Sequence, residues 1–227
     1  MASEVEEIGR EVARLLIKTN AVYVSREQPF ILAAGWASPV YVDCRLLIGE
    51  PAVRRAVTQL MSRYLAAALP SSFDAVAGAE TAGIPFAAWL ADETGFPLRY
   101  VRKRPLGIGR HAQVEGGSVD GLRVLLVDDL TTDATNKLAF VRGLRSAGAI
   151  VEHALTVFFN DAFPGAMERL GQARIALHPL ATWAPLLLAD SGLSAEDRAT
   201  VEKFLKDPIA WSARHGGRVA QAPRATG

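Results

Sequence analysis

Residues 124–137, VLLVDDLTTDATNK, combine an apolar strand, two acidic residues, a hydroxyl-rich turn and the start of a helix. The four apolar residues at 124–127 are typical of a parallel strand that is buried on both faces of its sheet. Because ligands of open α/β sheets collect beyond the carboxyl ends of the strands, Asp128 and Asp129 lie where a ligand site is expected. The free N–H groups of the helix that follows favour an anion such as phosphate.

Apolar runs and helical patterns alternate along the rest of the chain. Helices are predicted at residues 3–18, 50–68, 86–93, 138–147 and from Ser194 onward, and strands at residues 73–78, 97–101, 150–159 and 175–179. Ser194 and Asp197 have the spacing of a capping box. Three short β-prone runs, at residues 21–24, 29–32 and 40–42, predict a small antiparallel excursion. The alternation indicates an α/β fold with a mainly parallel central sheet flanked by helices.

The composition points to one globular domain. We assign residues 1–216 of the 227 to a single domain and residues 217–227 to a frayed tail. A net charge of +1 gives no bulk attraction to nucleic acid or to a membrane surface. The apolar stretches are too short to span a membrane. One cysteine, Cys44, and no signal-peptide pattern predict a cytoplasmic location.

The stretch 124–136 resembles the phosphoribosyl diphosphate (PRPP) motif of the type I phosphoribosyltransferases, in which a strand and two acids precede Thr-Thr-Gly-Gly-Ser. Residues 30–45, 79–85 and 208–212 are similar to the orotate phosphoribosyltransferases within that family. The resemblance implies the type I phosphoribosyltransferase fold with a small hood, formed mainly by residues 20–45 and the C-terminal part. On the residues alone, an ordinary edge hairpin is an equal alternative at 20–45.

The resemblance also implies a reaction between PRPP and orotate, which belongs to de novo pyrimidine synthesis. Ribose 5-phosphate would pass from PRPP to N1 of orotate, giving orotidine monophosphate and pyrophosphate. Mg²⁺ is the implied cofactor, because it binds oxygens of substrate phosphates with few protein ligands, so that no direct protein ligand is assigned. A homodimer is expected from the family.

The same resemblance implies roles for individual residues. Asp128 and Asp129 would be catalytic, holding the ribose hydroxyls and supporting the positive charge of an oxocarbenium-like transition state. The 5-phosphate would be bound by Thr131, Thr132, Asp133, Ala134, Thr135 and Asn136, the pyrophosphate by Arg102 and Lys103, and the loop on the pyrophosphate side would be Glu80, Thr81 and Ala82. On the residues alone, the acidic pair could be a solvated strand end and the basic stretch from Arg102 a solvated loop.

Two departures from the family pattern fall at these positions. Ala134, Thr135 and Asn136 stand where the family has Gly-Gly-Ser, and a side chain at a position of positive φ costs on the order of 1 kcal/mol. In the basic loop, Leu106 and Ile108 replace a lysine and a histidine of the family. Loss of one electrostatic contact to a developing charge lowers a rate roughly 10²-fold to 10³-fold. Arg110 and His111 are nearby candidates to substitute.

These departures leave two classes of function open. The chain is either an orotate phosphoribosyltransferase, or an impaired or inactive relative that binds PRPP, a nucleotide or a protein partner in a regulatory role. A phosphoribosyltransferase for another base is a third candidate. A dinucleotide-binding dehydrogenase is disfavoured, since no Gly-x-Gly-x-x-Gly follows the first strand. Nucleic-acid binding is disfavoured because the basic residues form a loop and not an extended face.

Overall fold

The computed structural model describes residues 3–69, 73–105, 112–189 and 192–219. Its strands are β1 (Val22–Val24), β2 (Phe30–Ile31), β3 (Ala37–Ser38), β4 (Val40–Val42), β5 (Ala75–Ala79), β6 (Leu98–Val101), β7 (Val114–Glu115), β8 (Arg123–Thr131), β9 (Ile150–Phe159) and β10 (Ala176–Ala181). Its helices are α1 (Glu4–Lys18), α2 (Pro51–Ala68), α3 (Gly83–Thr94), α4 (Thr135–Ser146), α5 (Ala166–Gln172), α6 (Trp183–Leu188), α7 (Ala195–Lys206) and α8 (Pro208–Arg214). A 3-10 helix covers Cys44–Ile48.

The central sheet has six strands in the order β10-β9-β8-β5-β6-β7. Every neighbouring pair is parallel except β6 and β7, which are antiparallel. The predicted α/β architecture with a mainly parallel sheet is therefore confirmed. β8 lies in the interior of the sheet, and its carboxyl end presents the acidic pair.

The core is divided by the sheet into two apolar layers. Leu125 and Val127 of β8 pack into the layer that contains α1, α2 and α3, whereas Val124 and Leu126 face the layer beneath α4 and α5. Because all four side chains are at most 1% exposed, the continuous apolar run is explained by burial on both faces. This double burial fixes the position of the strand end that follows.

Some elements differ from the sequence prediction. α3 begins at Gly83 and α4 at Thr135, three residues earlier than predicted in each case, because residues 83–85 and 135–137 already belong to the helices. The strand β7 and the helices α5, α6 and α8 were not predicted, since elements of two to seven residues carry little periodicity. Pro179 lies within β10, which is an edge strand and tolerates a missing N–H donor.

The capping box predicted at the start of α7 is only half formed. The Ser194 hydroxyl accepts a hydrogen bond from the Asp197 backbone N–H at 3.0 Å, as expected. The Asp197 carboxylate does not return to the Ser194 N–H; it accepts from the Ser194 hydroxyl at 2.7 Å and pairs with Arg26 at 2.8 Å. Asp197 is shorter than the usual glutamate and is held by Arg26, which explains the difference.

The antiparallel excursion predicted near the N-terminus is present as two short strand pairs. β1 pairs with β4, and β2 pairs with β3. In the loop between β2 and β3, the Trp36 ring stacks on Phe163 with ring centroids 4.8 Å apart. The two strand pairs form a layer above the carboxyl end of the sheet, and we call this layer the hood (residues 20–45).

The C-terminal segment is attached to the hood. The Ser212 hydroxyl accepts a hydrogen bond from the Ala37 N–H and donates one to the Arg218 carbonyl, both at 3.0 Å. The Arg218 N–H donates to the Gly35 carbonyl at 2.7 Å. Gly217 and Arg218 are thus hydrogen-bonded and not frayed, because they close this loop; residues 220–227 of the predicted tail lie outside the described residues. Within the described ranges, no helix combines the length and the apolarity needed to cross a membrane.

Candidate active site

A cleft of about 700 Å³ lies between the hood and the carboxyl ends of β5 and β8. The sheet side contributes Glu80, Thr81, Ala82, residues 128–134, Asn136, Lys137 and Asn160. The hood side contributes residues 31–34, 41–43 and Arg45, and Lys103 and Phe140 complete the lining. The structure therefore brings most of the predicted site residues to one cavity. Gly83 permits this arrangement, since a Cβ there would lie 2.5 Å from the Val127 carbonyl oxygen.

The acidic pair forms the floor of the cleft. Asp128 is 9% exposed, and its Oδ2 accepts a hydrogen bond from Lys137 Nζ at 2.7 Å. Its Oδ1 accepts from the Asp129 backbone N–H at 3.0 Å. Lys137 is 2% exposed, so this ion pair is almost completely removed from water. The solvated strand end that the residues alone allowed is thereby excluded for Asp128.

Asp129 has an unusual protonation equilibrium. Burial, the negative charge of Asp128 and a hydrogen bond with Asp128 raise the pKa of Asp129 to about 7. The positive charge of Lys137 opposes this shift in part. A carboxyl group with a pKa near 7 exchanges a proton readily at neutral pH, which is the range suited to acid–base chemistry.

The turn after β8 contains the strained position that the sequence comparison anticipated. Ala134 has φ 63°, in the left-handed region, and Thr135 begins α4 with helical geometry. Only the first of the two lost glycines therefore stood at a position of positive φ. Ala134 is 3% exposed, so its Cβ is accommodated in the core at a conformational cost of on the order of 1 kcal/mol.

Asp133 stabilises this turn. Its carboxylate is held by hydrogen bonds, so that it does not present an uncompensated negative charge to an incoming anion. Its carboxylate accepts hydrogen bonds from the Thr135 N–H at 3.1 Å and from the Thr135 hydroxyl at 2.7 Å. Arg169 donates to the Asp133 carbonyl at 3.2 Å and lies 3.8 Å from its carboxylate. Next to this turn, the buried Thr131 hydroxyl has no hydrogen-bond partner among the described residues and lines the cleft.

The basic stretch is only partly directed at the cleft. Arg102 pairs with Glu115 at 3.2 Å and with Glu80 at 3.6 Å, and it donates to the Tyr100 hydroxyl at 3.0 Å. Arg102 lines a separate, smaller groove, whereas Lys103 borders both cavities. The backbone N–H of Lys103 donates to Glu80 at 2.8 Å, which joins the base of the basic stretch to the loop after β5. The positions of Leu106, Ile108, Arg110 and His111 lie outside the described residues.

Comparison with known proteins fits this geometry. Residues 48–162 match the phosphoribosyl transferase domain family. The chain is 45% identical over 210 residues to the orotate phosphoribosyltransferase of Ruegeria sp. (strain TM1040), covering 91% of this chain and 93% of the relative. The chain belongs to the orotate phosphoribosyltransferase family.

Solved structures support the same assignment. The orotate phosphoribosyltransferase of Aeropyrum pernix superimposes with a TM-score of 0.66 at 34% identity, covering 78% of this chain and 97% of that one. Leishmania donovani UMP synthase superimposes with a TM-score of 0.75 at 28% identity, covering 87% of this chain but 42% of that longer protein. The fold of this chain is thus that of the type I phosphoribosyltransferases, as the PRPP motif predicted. No comparison favours the inactive relative that the two sequence departures left open.

Several cleft residues of this family member were not anticipated from the sequence. Lys137 carried one usable signal, because a cation in the first turn of a helix opposes the helix dipole and needs an explanation. Asn160 follows β9 directly, and its Oδ1 accepts from Trp183 Nε1 at 3.0 Å. Asp43 and Arg45 form an ion pair at 2.6 Å in the hood wall. None of these three residues, Asn160, Asp43 and Arg45, carries a signal without the fold.

Proposed function

We propose that this protein transfers ribose 5-phosphate from PRPP to N1 of orotate and releases pyrophosphate, forming orotidine monophosphate. The observation that carries the proposal is the acidic pair at the end of β8, of which Asp128 is buried and Asp129 half-buried. The pair faces a hood across a cleft and precedes a helix N-terminus. The high identity to orotate phosphoribosyltransferases over nearly the whole chain supports the choice of substrates. The activity belongs to de novo pyrimidine synthesis.

The acidic pair acts on the ribose. The bond from C1 to the pyrophosphate oxygen breaks, the bond from C1 to N1 forms, and the proton of N1 is released. Positive charge develops on the ribose as the leaving group departs, and the carboxylate of Asp128 stabilises that charge from the cleft floor. Asp129, whose pKa is about 7, holds a ribose hydroxyl or accepts a proton at neutral pH.

The turn between β8 and α4 binds the 5-phosphate. The first backbone N–H groups of a helix have no partner within the helix, and the helix dipole attracts an anion. Thr131, with its unpartnered hydroxyl, and Thr132 and Asn136 supply further donors from the cleft wall. Asp133, Ala134 and Thr135 shape the turn rather than donate from their side chains, because Asp133 and Thr135 are bonded to each other.

The pyrophosphate group lies toward the loop of Glu80, Thr81 and Ala82. Lys103 is the cation of the described residues at that end of the cleft. Arg102 reaches an anion only after leaving Glu80 and Glu115, so its predicted role requires a side-chain rearrangement. If Arg110 or His111 supplies the charge that Leu106 and Ile108 lack, it does so from the segment outside the described residues.

The implied cofactor Mg²⁺ would be held at this site mainly by phosphate oxygens of PRPP. Among the described residues, no three His, Cys, Asp or Glu side chains lie close enough together to hold a metal ion. PRPP itself offers the phosphate oxygens that Mg²⁺ prefers as ligands. When bound, Mg²⁺ neutralises the negative charge of the departing pyrophosphate.

The remaining parts of the proposal concern the assembly and the cellular location. The protein is a homodimer, as expected from its family, and its mass in solution measured by light scattering tests this. Its single cysteine is 1% exposed and forms no disulfide, which fits the reducing cytoplasm.

The decisive experiment is titration of the purified protein with PRPP and Mg²⁺ by calorimetry, followed by a spectrophotometric assay of orotate consumption on the same sample. Binding and turnover are expected, and D128N should lower kcat at least 10²-fold because charge stabilisation is lost. Arg123→Gln, which changes an exposed ion pair at the opposite end of β8, is the matched control and should leave turnover unchanged.

Two results would overturn the proposal. Binding of PRPP without turnover of orotate, uracil or a purine base would indicate the regulatory relative. Turnover with another base but not with orotate would indicate a phosphoribosyltransferase of different specificity.

A further inference from the structure

Lys137 is a fully buried lysine at the floor of the cleft, in the first turn of α4. Among the residues that the structure describes, its ammonium group has one hydrogen-bond partner, Asp128 Oδ2 at 2.7 Å. Burial of an ammonium group without a negative partner costs several kcal/mol, so a buried lysine is either neutral or paired. The distance of 2.7 Å between Lys137 Nζ and Asp128 Oδ2 shows that this lysine is paired.

The helix does not favour this lysine. The N-terminus of α4 carries the positive end of the helix dipole, and a cation there is unfavourable. The same turn is the proposed site for an anion, so the lysine occupies a position at which its charge must be compensated from elsewhere. Asp128, nine residues earlier in the chain, supplies that compensation.

The two acids therefore differ in their surroundings although they are adjacent in sequence. Asp128 has the ammonium group of Lys137 at one oxygen and the Asp129 N–H at the other. Asp129 has no such direct cation among the described residues, and Asp128 repels its ionised form. Two neighbouring carboxylates do not both ionise easily, so the position of a single cation determines which one keeps the proton.

We propose that Lys137 is a positioning residue that fixes the negative charge of the acidic pair on Asp128 and leaves Asp129 as the carboxyl group that binds and releases a proton. The lysine acts through Asp128 and not on the substrate. The catalytic consequence rests on the proposed function, whereas the assignment of the charge does not. Other titratable groups that line the same cleft or lie close to the pair are Tyr41, Asp43, Cys44, Arg45, Glu80, Lys103 and Asp133.

These other groups do not replace Lys137. The guanidinium of Arg45 is held by Asp43 at 2.6 Å, and Asp133 is engaged by Thr135 and Arg169. Burial raises the pKa of the Cys44 thiol well above its usual range, and the nearby Asp129, Asp43 and Asp128 raise it further, so that it stays neutral. Glu80 is committed to Lys103 and Arg102.

The test is a ¹³C NMR titration of aspartate carboxyl groups between pH 4 and pH 10, with the Asp129 signal assigned by its absence in D129N. In the unsubstituted protein we expect a midpoint near 7. In K137M, which removes the charge and leaves an unbranched side chain one atom shorter, the midpoint should rise by about one pH unit or more. In D128N it should fall by a similar amount, because the repelling charge is lost.

Lys203→Met removes the same charge from an exposed position of α7 and should leave the midpoint unchanged. An unaltered midpoint in folded K137M, or in D128N, would overturn the proposal. If K137M does not fold, the D128N measurement alone decides whether Asp128 carries the charge.

Enzyme kinetics give an independent readout. The acid limb of the kcat/KM profile against pH should follow the NMR midpoint. In K137M the limb should therefore lie about one pH unit higher. A merely structural role would lower kcat at every pH without moving the limb. Absence of orotate turnover in the unsubstituted protein would refute the proposed function, while the NMR titration would still decide the role of Lys137.

Discussion

Ala134 illustrates how one residue can retain a glycine-like conformation without being glycine. Its φ of 63° places an L-residue in the left-handed region, immediately before the helix that is proposed to bind phosphate. The conformation persists because the flanking structure imposes it: Asp133 is bonded to Thr135 on one side and to Arg169 on the other. Strain held in this way tends to occur at functional sites.

A134G should therefore raise the free energy of unfolding by about 0.5–1 kcal/mol, because glycine adopts this conformation without a Cβ penalty. Chemical denaturation measures the change. Ala139→Gly, in the regular part of α4, is the matched control and should instead lower the stability by about 1 kcal/mol. Equal destabilisation by both substitutions would show that the strain at Ala134 is negligible.

Asp129 makes the stability of the protein depend on pH. Its pKa in the folded state is about 7, whereas an unfolded aspartate titrates near 4. The folded state thus binds the proton more tightly than the unfolded state does. The resulting contribution to the free energy of unfolding is complete below pH 4 and is lost as the pH rises through 7.

D129N should accordingly stabilise the protein at pH 8, by about 1–2 kcal/mol, and have little effect at pH 4. Unfolding by urea at both pH values measures this difference. Asp74→Asn is the contrasting control: Arg123 lowers the pKa of that exposed carboxyl, so its removal should weaken the protein at neutral pH. An increase in the free energy of unfolding by D129N that is the same at both pH values would contradict a raised pKa of Asp129.

At the scale of elements, the C-terminal segment acts as a brace for the hood. A Cβ added to Gly217 would lie 2.3 Å from the Ala37 nitrogen and 2.4 Å from the Ser212 hydroxyl oxygen, which are bonded to each other. The hood and the C-terminal segment must therefore move apart to accept any other residue. Since residues 31–34 of the hood line the cleft, such a movement reaches the hood wall of the cleft, which we propose contacts the orotate base.

G217A should lower the free energy of unfolding by about 1–3 kcal/mol and raise the KM for orotate more than the KM for PRPP. Gly171→Ala, in α5, has open space around the added methyl group and should be neutral or slightly stabilising. Denaturation curves and initial-rate kinetics measure the two effects. An unchanged KM for orotate in a destabilised G217A would show that the brace does not reach the base site.

The elements that sequence patterns predicted are those with long, regular signals. β8 was found because its residues 124–127 are four consecutive apolar residues, and β9 because most of its ten residues are apolar. α2 was found because Pro51 marks its first turn. β7 has two residues and pairs only at the sheet edge, so no period exists to detect. α6 follows β10 directly, and its apolar residues could equally have continued a strand.

The site was predicted unevenly for a related reason. Asp128, Asp129 and the turn lie on one contiguous stretch, and the resemblance assigned them as a group. Lys137 was missed because lysine is rarely buried, and its pairing with Asp128 depends on the angle between β8 and α4. Arg102 was expected at the pyrophosphate, yet its partners are Glu80, in the loop after β5, and Glu115, in β7, which only the fold brings together.

At the scale of the whole molecule, two apolar layers share one sheet, and the cleft lies where both layers end. Helices α1, α2 and α3 stabilise the face below the hood, and α4 and α5 stabilise the face behind the acidic pair. β8 lies in the interior of the sheet and has side chains in both layers. The position of the acidic pair is therefore fixed by nearly the entire core. Substitutions far from the cleft that shift β8 should therefore affect catalysis as well as stability.

The burial of Cys44 has a practical consequence for spectroscopy. Because the only thiol of the chain is 1% exposed and is kept protonated by its burial and by its acidic neighbours, the native protein should resist maleimides and other alkylating dyes. Ile31, on the hood rim, is 59% exposed. A cysteine introduced there would accept a fluorophore selectively, without prior removal of the natural thiol, and its emission would report in real time how the rim responds when substrates enter.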